Sequence, residues 1–219
     1  VRYGGTRTAV LCVVLAALLG GLVACGSDTH GRNCPRAQAG PDLSGRTLSG
    51  SSLSRRKMRC ANLEGVTLDD QAVSRATLGR ANLHRASLAA TRLSHVDLSG
   101  ADLTDSVLET ATLRGVDLGA ADLRRAALHG ANLSAVGLIR ARLSAADLSQ
   151  AVLARTDATG ADLRDADLSG ARLVDSDLTG ARLEDADLTD TVWSDVVCPD
   201  GSRSSGQPQT CAGHLEPAE

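Results

Sequence analysis

The side chains able to do chemistry in this sequence are five histidines, six cysteines and a dense scatter of Asp, Ser and Thr. A metal centre draws on His, Cys and carboxylate ligands that converge, and nucleophilic catalysis needs a hydroxyl or thiol within reach of a base. His30 and His214 lie toward the two ends, while His84, His95 and His129 are spread through the middle. The Asp residues near them follow neither the EF-hand loop nor the Gly-rich calcium repeat. No Ser, His and Asp set has a distinguishing spacing. No Gly-rich phosphate loop occurs either, because glycines such as Gly100, Gly160 and Gly170 stand singly. The expectation is a protein that is not an enzyme, with no metal and no cofactor.

The elements that must position these side chains are unusual. The 219 residues include one Trp, one Tyr and no Phe beside 42% hydrophobic residues, so the core has to be made of small and aliphatic side chains. Of the 23 basic residues only Lys57 is lysine, a bias that fits the codon usage of a GC-rich bacterial genome. The formal charge of -3 implies neither nucleic acid nor a strongly charged substrate by itself, so charge has to be read by position.

From Leu43 to Trp193 every fifth residue belongs to one series of 31 positions, and 27 of them are Leu; the exceptions are Met58, Val73, Ala158 and Trp193. Two residues before each of these centres stands a second series, nearly all small from Ala61 onward, with Gln71 the clear misfit. Asp, Asn, Arg, Thr or Ser lies between, as in Ala101-Asp102-Leu103-Thr104-Asp105. A straight α-helix would rotate successive centres about 140° apart, and a straight strand would send them to alternate faces. Neither regular element gives the centres a common side. Within one unit the small residue and the centre can both point inward if the chain turns a corner before the next unit. Repeats that bury their apolar face only by stacking form a solenoid.

The A(D/N)LXX unit resembles the pentapeptide-repeat family, and the resemblance covers about 70% of the chain. It implies an all-β fold, a right-handed quadrilateral parallel β-helix in which four units make one square turn. The centre and the small residue lie inside and the other three positions outside. The series would then give about 7.75 turns and a rod about 35 Å long at the usual strand spacing. Leu103, Leu123 and Leu163 are expected in the core, with Trp193 as the plug of the last turn. The early units carry Pro41, Arg46 and Arg56 at the small inward position, which puts the start of the regular coil near Cys60 or Ala61.

Residues 1–24 read as a signal peptide: Arg2 and Arg7, then the apolar run from Ala9 to Ala24. That run is short for a bilayer span. Leu22-Val23-Ala24-Cys25 resembles a bacterial lipobox, which implies acylation of Cys25, cleavage before it, and a polar tether over 25–40. An ordinary secretory signal or an uncleaved helix is the alternative, and all three readings place the repeats outside the cytoplasm. Residues 41–195 form the coil and 196–219 a C-terminal cap and tail. Of the six cysteines, Cys34, Cys60, Cys198 and Cys211 remain after the signal and the lipid site. On the rod that the family resemblance implies, the first two lie at one end and the last two at the other, which leaves Cys34–Cys60 and Cys198–Cys211 as the pairings. Free thiols in a cytosolic protein are the other reading.

If every twentieth residue returns to the same side, His84, His95 and His129 fall on three different sides. The side through Leu68, Leu88, Leu108 and Leu148 carries Asp69, Asp70, Glu109, Asp147, Asp167, Asp187 and Asp190, with no Lys or Arg at an outward position. The next side carries Arg55, Arg75, Arg92, Arg114, Arg155 and Arg172 against Asp175 and Asp195. Such segregation keeps a solenoid soluble, or it docks a partner; the candidate binding residues are then Arg92, Arg114, Arg155 and Arg172, or Asp147, Asp167 and Asp187. The preferred expectation is a membrane-anchored, extracytoplasmic interaction or scaffold module with an unspecified protein partner and no nucleic acid. The alternative carried by the family is a DNA-mimicking, gyrase-binding protein of the quinolone-resistance type, which an export signal would separate from gyrase.

Overall fold

The computed structural model describes residues 34, 40–204 and 210–215. The chain coils so that each residue meets the residue twenty positions later. Three-residue strands mark one side of the coil: β1 (Ala72–Ser74), β2 (Arg92–Ser94), β3 (Thr112–Arg114), β4 (Val152–Ala154), β5 (Arg172–Val174) and β6 (Val192–Ser194). They pair in parallel with Val73 opposite Leu93, Leu93 opposite Leu113 and Leu173 opposite Trp193. The other three sides are held by single parallel bridges at the same step, such as Asn62 with Asn82, Thr67 with Ser87 and Thr77 with Asp97. Four pairing columns per twenty residues make the turn square, and the step holds from Asp42–Asn62 to Asp177–Val197. The fold is therefore the parallel β-solenoid that the five-residue period demands.

Centres with a turn beyond them donate their N–H to the carbonyl nineteen residues on, as Leu103 does to Asp122 and Leu123 to Arg142, both at 2.7 Å. At most corners the next small residue donates back to the centre, as Ala126 does to Leu123 at 3.0 Å. The residue between them has φ between +51° and +67° at every fifth position from Arg55 to Asp195. Positive φ at the third residue of a hydrogen-bonded four-residue turn is the type II geometry. Glycine suits it, yet Arg, Asp, Ala, His95, Gln150 and even Thr110 occupy the same corner.

Inside, the centres form a continuous apolar column. Leu103 and Leu123 have no exposed surface, Leu163 is 2% exposed and Trp193 8%. Hydroxyl residues at the small inward position are satisfied by backbone carbonyls, for Ser106 that of Leu103 in its own turn at 2.7 Å and for others that of a centre in the preceding turn. Thr91 donates to Leu68, Thr156 to Leu133 and Ser176 to Leu153, at 2.7–2.9 Å. That is why they sit in this core without an unpaired polar atom.

At the N-terminal end bridging already begins at Asp42, ahead of Ala61, but Arg46 and Arg56 are exposed and a short helix, α1 (Gly50–Leu53), interrupts the first turn. Gln71 then ceases to be a misfit: its Oε1 accepts the Gly50 N–H at 3.1 Å and so caps α1. Disulfide bridges join Cys34 to Cys60 and Cys198 to Cys211. Beyond Trp193 the chain folds back, with Val197 bridging Arg203 antiparallel and Ser204 donating to Val196 at 2.8 Å. Leu215 packs against the core. The signal segment 1–24 and Cys25 lie outside the described residues, among which no helix is long and apolar enough to cross a membrane.

Candidate functional site

With the interior filled, any site must be on the outside, and the outward residue before each centre comes first. Its Asp or Asn oxygen accepts the N–H of the residue two further on: Asp102 from Thr104 at 3.0 Å, Asp147 from Ser149 at 2.9 Å, Asn132 from Ser134 at 3.0 Å. These are Asx turns, which set up the corner beyond the centre. In D-L-S and D-L-T units the hydroxyl donates to the same carboxylate, Thr104 to Asp102 at 2.6 Å and Ser149 to Asp147 at 2.5 Å. The D-x-S/T spacing accounts for the repeated Asp in structural terms.

The histidines rest on these turns. His84 Nδ1 lies 2.8 Å from Thr104 Oγ1, and His129 Nδ1 lies 2.8 Å from Ser149 Oγ. Because each hydroxyl donates to its carboxylate, the ring N–H must be the donor toward it. A nucleophilic Ser requires the opposite order, with an imidazole taking the hydroxyl proton and a carboxylate orienting that imidazole. His95 lies over Gly115, where an added Cβ would meet Nδ1 at 2.9 Å. No group of three His, Cys, Asp or Glu among the described residues could hold a metal ion.

Asp147, Asp167 and Asp187 are brought together as one column of successive turns, bridge partner to bridge partner. The Thr189 hydroxyl and N–H hold the Asp187 carboxyl below its ordinary range. The four arginines of the neighbouring side do not form one patch. Arg92 and Arg114 lie on adjacent turns, Arg155 and Arg172 on another adjacent pair, and all four are exposed. The uncharged turn Ala131-Asn132-Leu133-Ser134-Ala135 separates the two pairs.

A third arrangement was not foreseen. On the side through Leu103 and Leu123, Asp122 takes both Arg124 and Arg142 at 2.8 Å, and Arg125 grips Asp105 through two bonds of 2.7 and 2.8 Å. Arg164 holds Asp162 in the same forked way. The Arg125 hydrogen bonds hold Asp105 below the usual carboxylate range, and Arg164 does the same for Asp162, against the opposing effect of burial. An open groove runs along this corner past Arg80, Arg85, Asp102, Asp122, Arg124 and Arg142. Its signal in the sequence was Asp and Arg spaced by two and by twenty, readable only once the twenty-residue turn is known.

A family model for pentapeptide repeats matches residues 73–105, 101–136, 138–173 and 159–195, in eight copies. No curated protein sequence matches the chain. Among solved structures it is similar to HetL, a pentapeptide repeat protein involved in heterocyst differentiation regulation from Nostoc sp. strain PCC 7120. The identity is 27%, over 74% of this chain and 89% of that one, with a TM-score of 0.35. It is also similar to the plasmid-mediated fluoroquinolone resistance protein QnrB1, at 19% identity over 68% and 90% of the two chains with a TM-score of 0.32. A thylakoid-lumen pentapeptide repeat protein from Arabidopsis thaliana shares 21% identity over 68% and 72%, with a TM-score of 0.19. Matched over more than half its length by the repeat model, and coiled with the twenty-residue step those repeats dictate, the chain belongs to the pentapeptide-repeat family.

Proposed function

We propose that this pentapeptide-repeat protein is exported, is held on the extracytoplasmic face of the membrane by a lipid on Cys25, and acts there as a non-enzymatic interaction or scaffold module for a protein partner. The observation that carries the reading is the pair of disulfides, Cys34–Cys60 and Cys198–Cys211, one at each end of the coil. Such bridges persist in oxidising compartments, and Leu22-Val23-Ala24-Cys25 supplies the matching address. The outer surface agrees with binding rather than turnover, since the hydroxyls beside His84 and His129 are committed to Asx turns and the groove is lined by paired charges.

Fractionation with fatty-acid labelling of wild type and Cys25→Ala tests this. Labelled wild type in the membrane fraction and an unlabelled variant are expected; an unlabelled cytosolic wild type would overturn the reading. The Asp147–Asp167–Asp187 column favours the second reading, imitation of duplex DNA toward gyrase. That reading requires the cytosolic result together with inhibition of DNA supercoiling by the purified chain.

A further inference from the structure

Charge is divided along the axis of the coil as well as around it. The first turn carries Arg46, Arg55, Arg56, Lys57 and Arg59 against a single acid, Asp42. All five side chains are exposed. Arg59 leans along the rod toward Asp97 at 3.9 Å and Arg46 lies close enough to Asp42 to act on its carboxyl, while no carboxylate among the described residues forms an ion pair with Arg55, Arg56 or Lys57. The opposite end leans the other way: Glu184, Asp185, Asp187, Asp190, Asp195 and Asp200 stand between Arg182, which pairs with Glu184, and Arg203.

We propose that the basic first turn is a docking collar for the anionic headgroups of a phospholipid bilayer, with the acidic end pointing away from it. The proposal deepens the lipid-anchor reading and rests on it for orientation. Two observations single out a membrane as the occupant. The collar complements a negative surface, toward which each Lys or Arg is attracted and each Asp repelled. The Cys34–Cys60 bridge, with its Cα atoms 5.9 Å apart, fastens the chain at this same end. Cys25 is nine residues before Cys34, a leash of at most about 30 Å.

The test uses the full chain carrying Cys25→Ser, so that no acyl group contributes, and its partition onto vesicles of phosphatidylglycerol with phosphatidylcholine and onto phosphatidylcholine alone. The N-terminal segment with Arg2, Arg7 and the apolar run from Ala9 to Ala24 is common to the parent and the collar variant, so the difference between the two isolates the collar. A ratio well above one at low salt is expected, collapsing at high salt as the charges are screened. Neutralising Arg46, Arg55, Arg56 and Lys57 to Gln should lower the ratio by up to about a thousandfold. Asp185→Asn with Asp190→Asn should not lower it, and circular dichroism checks that each variant is folded. Equal partition onto the two vesicles, or a collar variant that binds like its parent, overturns the proposal. So does salt-sensitive self-association without vesicles that the collar variant abolishes, which would make the acidic end of a second copy the occupant. Failure here with acylated Cys25 sinks the collar alone, whereas charge-dependent binding with unlabelled Cys25 sinks the anchor alone.

Discussion

Replacing Thr110 by Gly should stabilise the protein, although Gly loosens an ordinary exposed position. Thr110 has φ +54° at a corner of the coil, where a branched Cβ is a genuine outlier. The left-handed region costs an L-residue about 1–2 kcal/mol. Glycine avoids that cost but adds about 0.5–1 kcal/mol of unfolded-chain freedom, so the net gain is about 1 kcal/mol. For a chain of this size that raises Tm by about 2–4 °C. Two controls bracket the effect. Gly130 occupies the same corner one turn on, with φ +62°, and a Cβ there would meet only the Thr110 methyl at 3.7 Å. Gly130→Thr should therefore lose about 1 kcal/mol through backbone conformation rather than collision. Thr112, exposed in β3, should lose about as much on conversion to Gly. Denaturant melts followed by circular dichroism, disulfides intact, read all three. If Thr110→Gly destabilises as Thr112→Gly does, the corner carries no strain and the argument fails.

Leu123→Asp should cost more than about 5 kcal/mol, since it deletes a fully buried side chain and leaves an unpaired carboxylate in an apolar column; a cooperative melt like that of wild type would refute the inward assignment. Leu188→Ala, at the half-covered last turn, should cost only about 1–2 kcal/mol by the same transfer argument. Removing Cys198 and Cys211 together as Ser should cost about 3 kcal/mol by releasing a loop of 13 residues, read as a lower denaturation midpoint that reducing agent reproduces in wild type. Asp105, Asp162 and Asp187 have carboxyls held below the unfolded value of 3.8. Their contribution is complete above that value and lost as pH falls through their lowered folded values. Thermal stability should be level from neutral pH to about 5 and decline below about 4, with a shallower decline in Asp162→Asn.

What the sequence disclosed was the consequence of burial. A Leu every five residues with a small partner two before it can be satisfied only by a coil with both inside, and Leu103, Leu123, Leu163 and Trp193 are where that reasoning puts them. What escaped it depended on the outside. The left-handed corner has no residue signature, because Arg, Asp, Ala and Gly all occupy it and the neighbouring turns hold the backbone there. The Gln71 cap on α1 joins residues twenty-one apart across turns, and the Asp122 pairing with Arg142 spans twenty. The four candidate arginines share a side, but sharing a side does not make them neighbours. Arg114 and Arg155 are separated by a neutral turn that a count of charges per side does not register.

The twenty-residue ladder also restricts how such a chain can change length. Deleting one five-residue unit keeps every Leu inward and every corner in place, so the core would scarcely notice. Everything downstream, however, would be turned by a quarter. Loss of residues 126–130 would carry Asp147, Asp167 and Asp187 off their own side and set them in line behind Asp102 and Asp122, which now belong to a different column. Only gains or losses of four units preserve which side each charge faces, so the phase of the repeat, more than its consensus, is what specifies this molecule's surface.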